Sequence, residues 1–162
     1  MSATINNTVT GNLSVANGGP GFDLPANTGP NTYRNNTATG NGVFNAATAE
    51  TPGFRVQGSN QLLDRNVSTA NFGAGILVVG AAQSNRLTRN SIFANAHVGI
   101  SLMGGLGNRN QPAPGLSDAS VSGGEATITV ILGSNNARDT NFRIEYFASP
   151  DCYPDGDGDG AD

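Results

Sequence analysis

The chain is predicted to be an all-β solenoid, short strands wound into stacked coils. Two phrases repeat in the same order, four times each. The first is Asn-x-x-x-x-Asn with small or aliphatic residues between, at Asn7–Asn12, Asn36–Asn41, Asn66–Asn71 and Asn90–Asn95. The second is Gly-apolar-x-aliphatic: Gly21-Phe-Asp-Leu24, Gly53-Phe-Arg-Val56, Gly75-Ile-Leu-Val78 and Gly99-Ile-Ser-Leu102. Recurrence at about 20–50 residues marks a solenoid, because each unit can bury its apolar face only against its neighbours. No helix pattern competes. Apolar residues never recur at three- and four-residue spacing over ten positions without Gly, Pro or Asn interrupting.

The elements follow in order. Successive asparagine phrases begin 29, 30 and 24 residues apart, at Asn7, Asn36, Asn66 and Asn90. A unit of 24 residues suits three short strands and three turns, one coil of a parallel β-helix. One strand of each coil alternates inward and outward: Phe22 with Leu24, Phe54 with Val56, Ile76 with Val78 against Leu77, and Ile100 with Leu102. Another strand precedes each asparagine phrase, around Tyr33, Leu63 and Leu87. Stacking predicts three internal columns: Phe22, Phe54, Ile76, Ile100; then Leu24, Val56, Val78, Leu102; then Val9, Ala38, Ser68, Ile92.

The asparagines have a mechanical reading. A carboxamide both donates and accepts, so asparagines stacked about 4.8 Å apart can hydrogen-bond along a column. Asn36, Asn66 and Asn90 form one expected ladder, and Asn41, Asn71 and Asn95 another. Asn6, Asn12, Asn35 and Asn66 also fit the N-glycosylation acceptor pattern, which Asn-rich turns generate freely.

This rhythm of Gly-Ile-x-Val followed by Asn-x-Leu-x-x-Asn-x-Ile-x-x-Asn resembles the right-handed parallel β-helix repeats of the pectate-lyase-like superfamily, over about residues 5 to 105. The resemblance implies a right-handed parallel β-helix of about four coils. Its members include polysaccharide lyases, glycoside hydrolases, periplasmic copper-loading proteins and non-catalytic bacterial surface proteins, so it leaves the activity open.

After the coils the composition shifts to Gly, Asn and Pro. The expected organisation is coils over 1–105, a linker over 106–120, and a β-hairpin or partial β-sandwich over 121–162 with an acidic, Gly-rich tail. The hairpin is expected to join Glu125–Leu132 to Asn141–Phe147 through the loop Gly133–Thr140. The stretch from Gln111 to Pro154 is similar to a β-sandwich segment that follows such coils in secreted bacterial proteins. A secreted or cell-surface setting is therefore the expectation.

All eight cations are Arg, the formal net charge is −4, and no basic cluster exists, which argues against nucleic acid as a partner. No apolar run approaches the roughly 20 residues of a membrane span, and no signal peptide opens the chain. The chain runs straight into its first repeat, so a missing preceding segment or end-to-end self-association is expected. Cys152 is alone and fixes no redox compartment.

Candidate sites are few. Asp155, Asp157, Asp159 and Gly160 match positions 1, 3, 5 and 6 of a calcium loop, whose position 12 would fall at 166, past Asp162. They are a weak calcium candidate beside the plainer reading of an acidic tail; no other cofactor is implied. Asp23 and Arg55 share one outward column, a surface ion pair. Two turns carry extra residues, Leu13–Pro20 and Gly42–Pro52, and insertions on one solenoid face often mark a binding face. With Asp23, Phe44, Glu50 and Arg55 nearby, a shallow polysaccharide groove is conceivable. The coils hold only Asp23, Glu50 and Asp64 as acids, with no two at equivalent positions of neighbouring coils, so the paired carboxylates of glycoside hydrolysis are not met. His97, the single histidine, has no sequence partner for nucleophilic chemistry. The reading is a non-catalytic scaffold or adhesion-like module of a larger bacterial protein; the alternative is a carbohydrate-active enzyme fragment of lyase or hydrolase type.

Overall fold

The structure, a computed structural model, describes residues 5–43, 51–104, 107–132 and 144–145. The chain divides into two compact units, Met1–Arg109 with Glu145–Asp162, and Asn110–Ile144. Within the first unit twelve short strands are described. Coil one holds β1 (Thr8–Thr10), β2 (Leu13–Val15) and β3 (Phe22–Leu24). Coil two holds β4 (Thr32–Arg34), β5 (Thr37–Thr39) and β6 (Phe54–Val56). Coil three holds β7 (Leu62–Asp64), β8 (Val67–Thr69) and β9 (Ile76–Val79), and coil four β10 (Arg86–Thr88), β11 (Ser91–Phe93) and β12 (Ile100–Met103). Every third strand stacks in parallel, giving a first sheet β1-β4-β7-β10, a second β2-β5-β8-β11 and a third β3-β6-β9-β12.

Strands this short need sharp corners, and the sequence supplies them one residue before each ladder position. Gly11, Ala16, Asn35, Gly40, Arg65, Ala70, Arg89 and Ala94 all have φ between 52° and 68°. This left-handed conformation bends the chain between strands and turns the following asparagine inward. It suits Gly and Asn; alanine and arginine adopt it only where the surroundings hold them.

An asparagine inside a ladder serves four hydrogen bonds. Asn66 Oδ1 accepts from Asn36 N at 3.0 Å and Nδ2 at 3.1 Å, while Asn66 Nδ2 donates to Asn90 Oδ1 and to Tyr33 O, both at 3.0 Å. The Asn41–Asn71–Asn95 column repeats the pattern. Both expected ladders exist, and each gains a member from coil one, Asn12 and Asn17.

These two members correct the first-repeat register. The partner of Asn36 is Asn12, 24 residues earlier, and the Asn7 amide donates to Asn31 Oδ1. Each coil carries corner positions five residues apart, such as Asn7, Asn12 and Asn17. The phrase Asn-x-x-x-x-Asn therefore occurs in two phases, and Asn7–Asn12 is not equivalent to Asn36–Asn41. Val9 consequently pairs with Tyr33, and Ser14, not Val9, heads the column Ser14, Ala38, Ser68, Ile92. Leu13–Val15 is strand, so Leu13–Pro20 is no insertion. Gly42–Pro52 remains the one lengthened turn, and within it residues 44–50 lie outside the described residues.

The other two columns stand as expected: Phe22 over Phe54, Ile76 and Ile100, and Leu24 over Val56, Val78 and Leu102. Phe22 and Phe54 stack with ring centroids 4.8 Å apart. Leu24, Phe54, Val56, Leu63, Ile76 and Val78 are fully buried, each worth about 1.5–3 kcal/mol of transfer free energy. The glycine of the second phrase is now explained. A Cβ on Gly53 would lie 2.0 Å from Ser68 Oγ, and one on Gly75 would lie 2.2 Å from Ile92 Cγ2. The third-sheet backbone thus closes directly onto the second-sheet column, where Ser68 donates to Gly75 O at 2.8 Å.

The second unit holds an antiparallel hairpin, as expected, with a described partner strand that lies earlier in the chain. Glu125–Ile131 (β14) is a strand, but its described partner is Gly115–Ser122 (β13), antiparallel, with Ser122 opposite Glu125. Gly123 and Gly124, both at positive φ (61° and 82°), form the two-residue turn that joins them. Strand therefore occupies residues 115–120, where the Gly/Pro context suggested linker. The expected strand Asn141–Phe147 falls almost wholly outside the described residues.

Substituting Gly53→Ala should destabilise the fold by about 1–3 kcal/mol through overpacking against Ser68. Gly11→Ala has no neighbour to strike within 4 Å and loses only the left-handed preference. Thermal unfolding of the two variants checks the ordering.

Candidate functional site

A shallow groove arises from an irregularity in the turn after the third sheet. Six residues separate Leu24 from Asn31 and Val78 from Asn85, but only four, 57–60, separate Val56 from Gln61. The second coil's short turn is thus flanked by longer turns in coils one and three. The result is a groove of about 470 Å³, lined by Ala26, Thr28, Gln57, Asn60, Val79 and Ala81 among others. No lining residue is charged.

Gln61 belongs to this shortening. It occupies the corner position filled by Asn7, Asn31 and Asn85 in the other coils, and its longer side chain leaves the column. Gln61 Nε2 donates instead to Thr28 O at 2.7 Å and Ser59 O at 2.9 Å, tying two groove-lining turns together. Gly29 and Gly58 make room for it, since a Cβ at either would lie 2.3 Å and 2.8 Å from that nitrogen. Gln61 is buried, and its Oε1 and the Nδ2 of Asn85 find no hydrogen-bond partner among the described residues.

Beside the groove stands the expected outward pair. Arg55 Nε donates to Asp23 Oδ1 at 3.0 Å, Arg55 Nη2 pairs with Asp23 Oδ2, and Gln57 Nε2 donates to Asp23 Oδ1 at 2.8 Å. Gln57 lines the groove, so the carboxylate lies one hydrogen bond from its rim. The Arg55 guanidinium holds the Asp23 carboxyl below its ordinary value against the opposing effect of partial burial, with a smaller contribution from Gln57. Asp23 and Arg55 thus form the surface ion pair that their shared outward column implies.

Of the residues expected around a groove, Asp23 and Arg55 are brought together, whereas Phe44 and Glu50 lie outside the described residues. So do the calcium candidates Asp155, Asp157 and Asp159. Among the described residues no three of His, Cys, Asp and Glu cluster as a metal site. His97 is half-buried in the turn before β12. Asn66 is buried and fully hydrogen-bonded, so it is no accessible glycosylation acceptor.

Sequence reading missed a second charged cluster, on the outer face of the first sheet. Asp64, fully buried, contacts Arg34 Nε at 2.9 Å and Arg89 Nη2 at 2.7 Å, and accepts a hydrogen bond from Arg89 Nε at 2.8 Å. The Arg34 contact is close but misaligned for a hydrogen bond. Coil register would have revealed it, because Arg34, Asp64 and Thr88 share one outward column. Burial of Tyr33, on the inner side of the same sheet, pushes its hydroxyl above the ordinary value.

The fold and site together define a β-helix domain with a neutral turn groove bordered by a neutralised acid. The family model for the right handed beta helix region matches residues 2–143, and the chain belongs to that family. No curated protein and no solved structure matches it.

Because the folded Asp23 carboxyl titrates below its ordinary 3.8, the pair stabilises the fold above that pH and the contribution is lost as pH falls through the lower folded value. Asp23→Asn should therefore lower stability by less than about 1 kcal/mol near pH 7, the pair being half-exposed. The gap to wild type should close in strong acid and shrink in about 1 M salt, where screening is short-ranged. Denaturant titrations at several pH values check it.

Proposed function

We propose that this domain is a non-catalytic scaffold or adhesion-like module of a larger secreted or cell-surface bacterial protein. In this reading the turn groove takes a neutral carbohydrate chain. One observation carries the proposal: the groove is uncharged and half polar in its lining, while the described coil acids, Asp23 and Asp64, are tied up by arginine. A neutral, hydroxyl-rich ligand needs uncharged donors and acceptors such as Asn27, Thr28, Gln57, Ser59 and Asn60, with small apolar patches such as Val79 for ring faces. Asp23 is held by Arg55 and Gln57, and Asp64 by two arginines. A general acid needs an exposed carboxyl with a raised pKa, and Asp23 is shifted the opposite way.

The test is a titration of the isotope-labelled domain with neutral and acidic oligosaccharides, followed by amide shifts. Neutral glycans should move residues 26–29, 57–60 and 79–81. Inserting Gly-Ser between Gly58 and Ser59, which restores the six-residue turn, should abolish the response while leaving the core shifts in place. Turnover of oligogalacturonate, seen as unsaturated product and lost in Asp23→Asn, would instead establish the lyase-type alternative.

A further inference from the structure

The last strand of the first sheet, β10, has no fifth coil stacked on it among the described residues, yet the groups that a further coil would engage are occupied at both of its ends. In the coils before it, the amide after each first-sheet strand donates forward to the next coil's backbone. Asn35 N donates to Asp64 O and Arg65 N to Thr88 O, both at 3.2 Å. The equivalent donor in coil four is Arg89 N, and it donates to the Glu145 carboxylate at 2.6 Å. The other Glu145 oxygen accepts from the hydroxyl of Thr88, a buried residue.

At the start of β10 the corner position behaves the same way. Asn7 N donates to Asn31 Oδ1 at 2.9 Å, and Gln61 N to Asn85 Oδ1 at 2.8 Å. Asn85 N in turn donates to Asn108 Oδ1 at 3.0 Å, and Asn108 Nδ2 returns a bond to Asn85 O at 3.0 Å. Immediately afterwards the chain departs from the coil path. Asn108, Arg109 and Asn110 are three consecutive left-handed residues, with φ of 44°, 57° and 51°.

We propose that Asn108 and Glu145 together form the terminal cap of the solenoid, two side chains that stand in for the strand of a fifth coil on β10. The surface they occupy is a strand-pairing edge, and its occupant is this chain's own Glu145. An uncapped edge of this kind presents backbone donors and acceptors to any extended chain. A carboxylate accepting a backbone N–H and a hydroxyl makes the stronger, charge-assisted kind of bond. Arg89, whose guanidinium holds Asp64, keeps the corner in place. Through Arg89 the cap adjoins Asp64 and Arg34, and Arg86 and Arg109 flank the Asn85–Asn108 end.

The experiment is native-state hydrogen exchange on the full chain. Glu145→Ala should accelerate exchange of the Arg89 amide by about 10–100-fold, the loss expected when a charge-assisted bond is removed. The Asn85 amide, held by Asn108, and the core amide of Leu63 should stay within threefold of wild type. Asn108→Ala should do the converse, exposing Asn85 and sparing Arg89. Should Glu145→Ala fail to fold, Thr88→Val removes only the hydroxyl donor, and Arg89 exchange should still rise by several-fold. Unchanged Arg89 exchange in the folded variants, or equal acceleration throughout the coils, would overturn the cap.

Discussion

The carboxamide ladder is the constraint from which the rest of this fold follows. A tube of three-residue strands turns so often that each coil has corners where inward polar groups would be stranded. An asparagine at the corner solves this locally. Its oxygen takes two N–H groups from the coil before, and its nitrogen gives to the next carboxamide and to a backbone carbonyl. Each such bond adds only about 1 kcal/mol net, but leaving one buried partner unmade costs about 1–3 kcal/mol. The ladder therefore acts less as glue than as a register lock. A coil that slips strands polar groups in every column at once.

Once register is fixed, side-chain size is dictated across the tube. The third sheet approaches the second so closely that its leading residue must be glycine, and the facing column tolerates only what fits, as the Gly53–Ser68 approach shows. Hydrophobic burial supplies most of the stabilisation, through Phe54, Leu63, Ile76 and their neighbours. Departures from the ladder are correspondingly informative. Gln61 breaks a column, its amide ties two turns, and the turn just before it is the short one that leaves the groove. Asn108 ends that column at the start of β10, and Glu145 accepts at the strand's other end, where a further coil's backbone would have accepted.

Most of the fold was legible in the sequence because the repeat is read out by side chains at fixed positions. The Gly-apolar-x-aliphatic phrase has one phase per coil, and both columns drawn from it, Phe22 to Ile100 and Leu24 to Leu102, are correct. The asparagine phrase has two phases, which is why coil one was aligned a strand out of step and Val9 took the place of Ser14. The strand Glu125–Ile131 was legible from its alternation, but its partner Gly115–Ser122 lies in a Gly- and Pro-rich context, where the tight turn at Gly123 and Gly124 depends on two positive φ angles. The site was less legible. Asp23 and Arg55 could be paired by column, but the groove comes from two missing residues, and an absence carries no motif. Asp64, Arg34 and Arg89 meet only through register, and Glu145 reaches its partners across more than fifty residues of chain.

The ladder is tested most directly by giving one rung a switchable donor, with Asn66→Asp compared with wild type across pH. An ionised carboxylate at position 66 can accept from Asn36 but cannot donate to Asn90 Oδ1 or Tyr33 O; a protonated one recovers a donor. Burial and these acceptors raise the folded pKa above the unfolded value, so the variant is stabilised below about pH 4 and loses that stability as pH rises through the folded pKa. The account predicts a deficit of about 3 kcal/mol or more at neutral pH, largely closed near pH 3. An Asn66→Asp variant as stable as wild type at pH 7, or one with a deficit independent of pH, would contradict it.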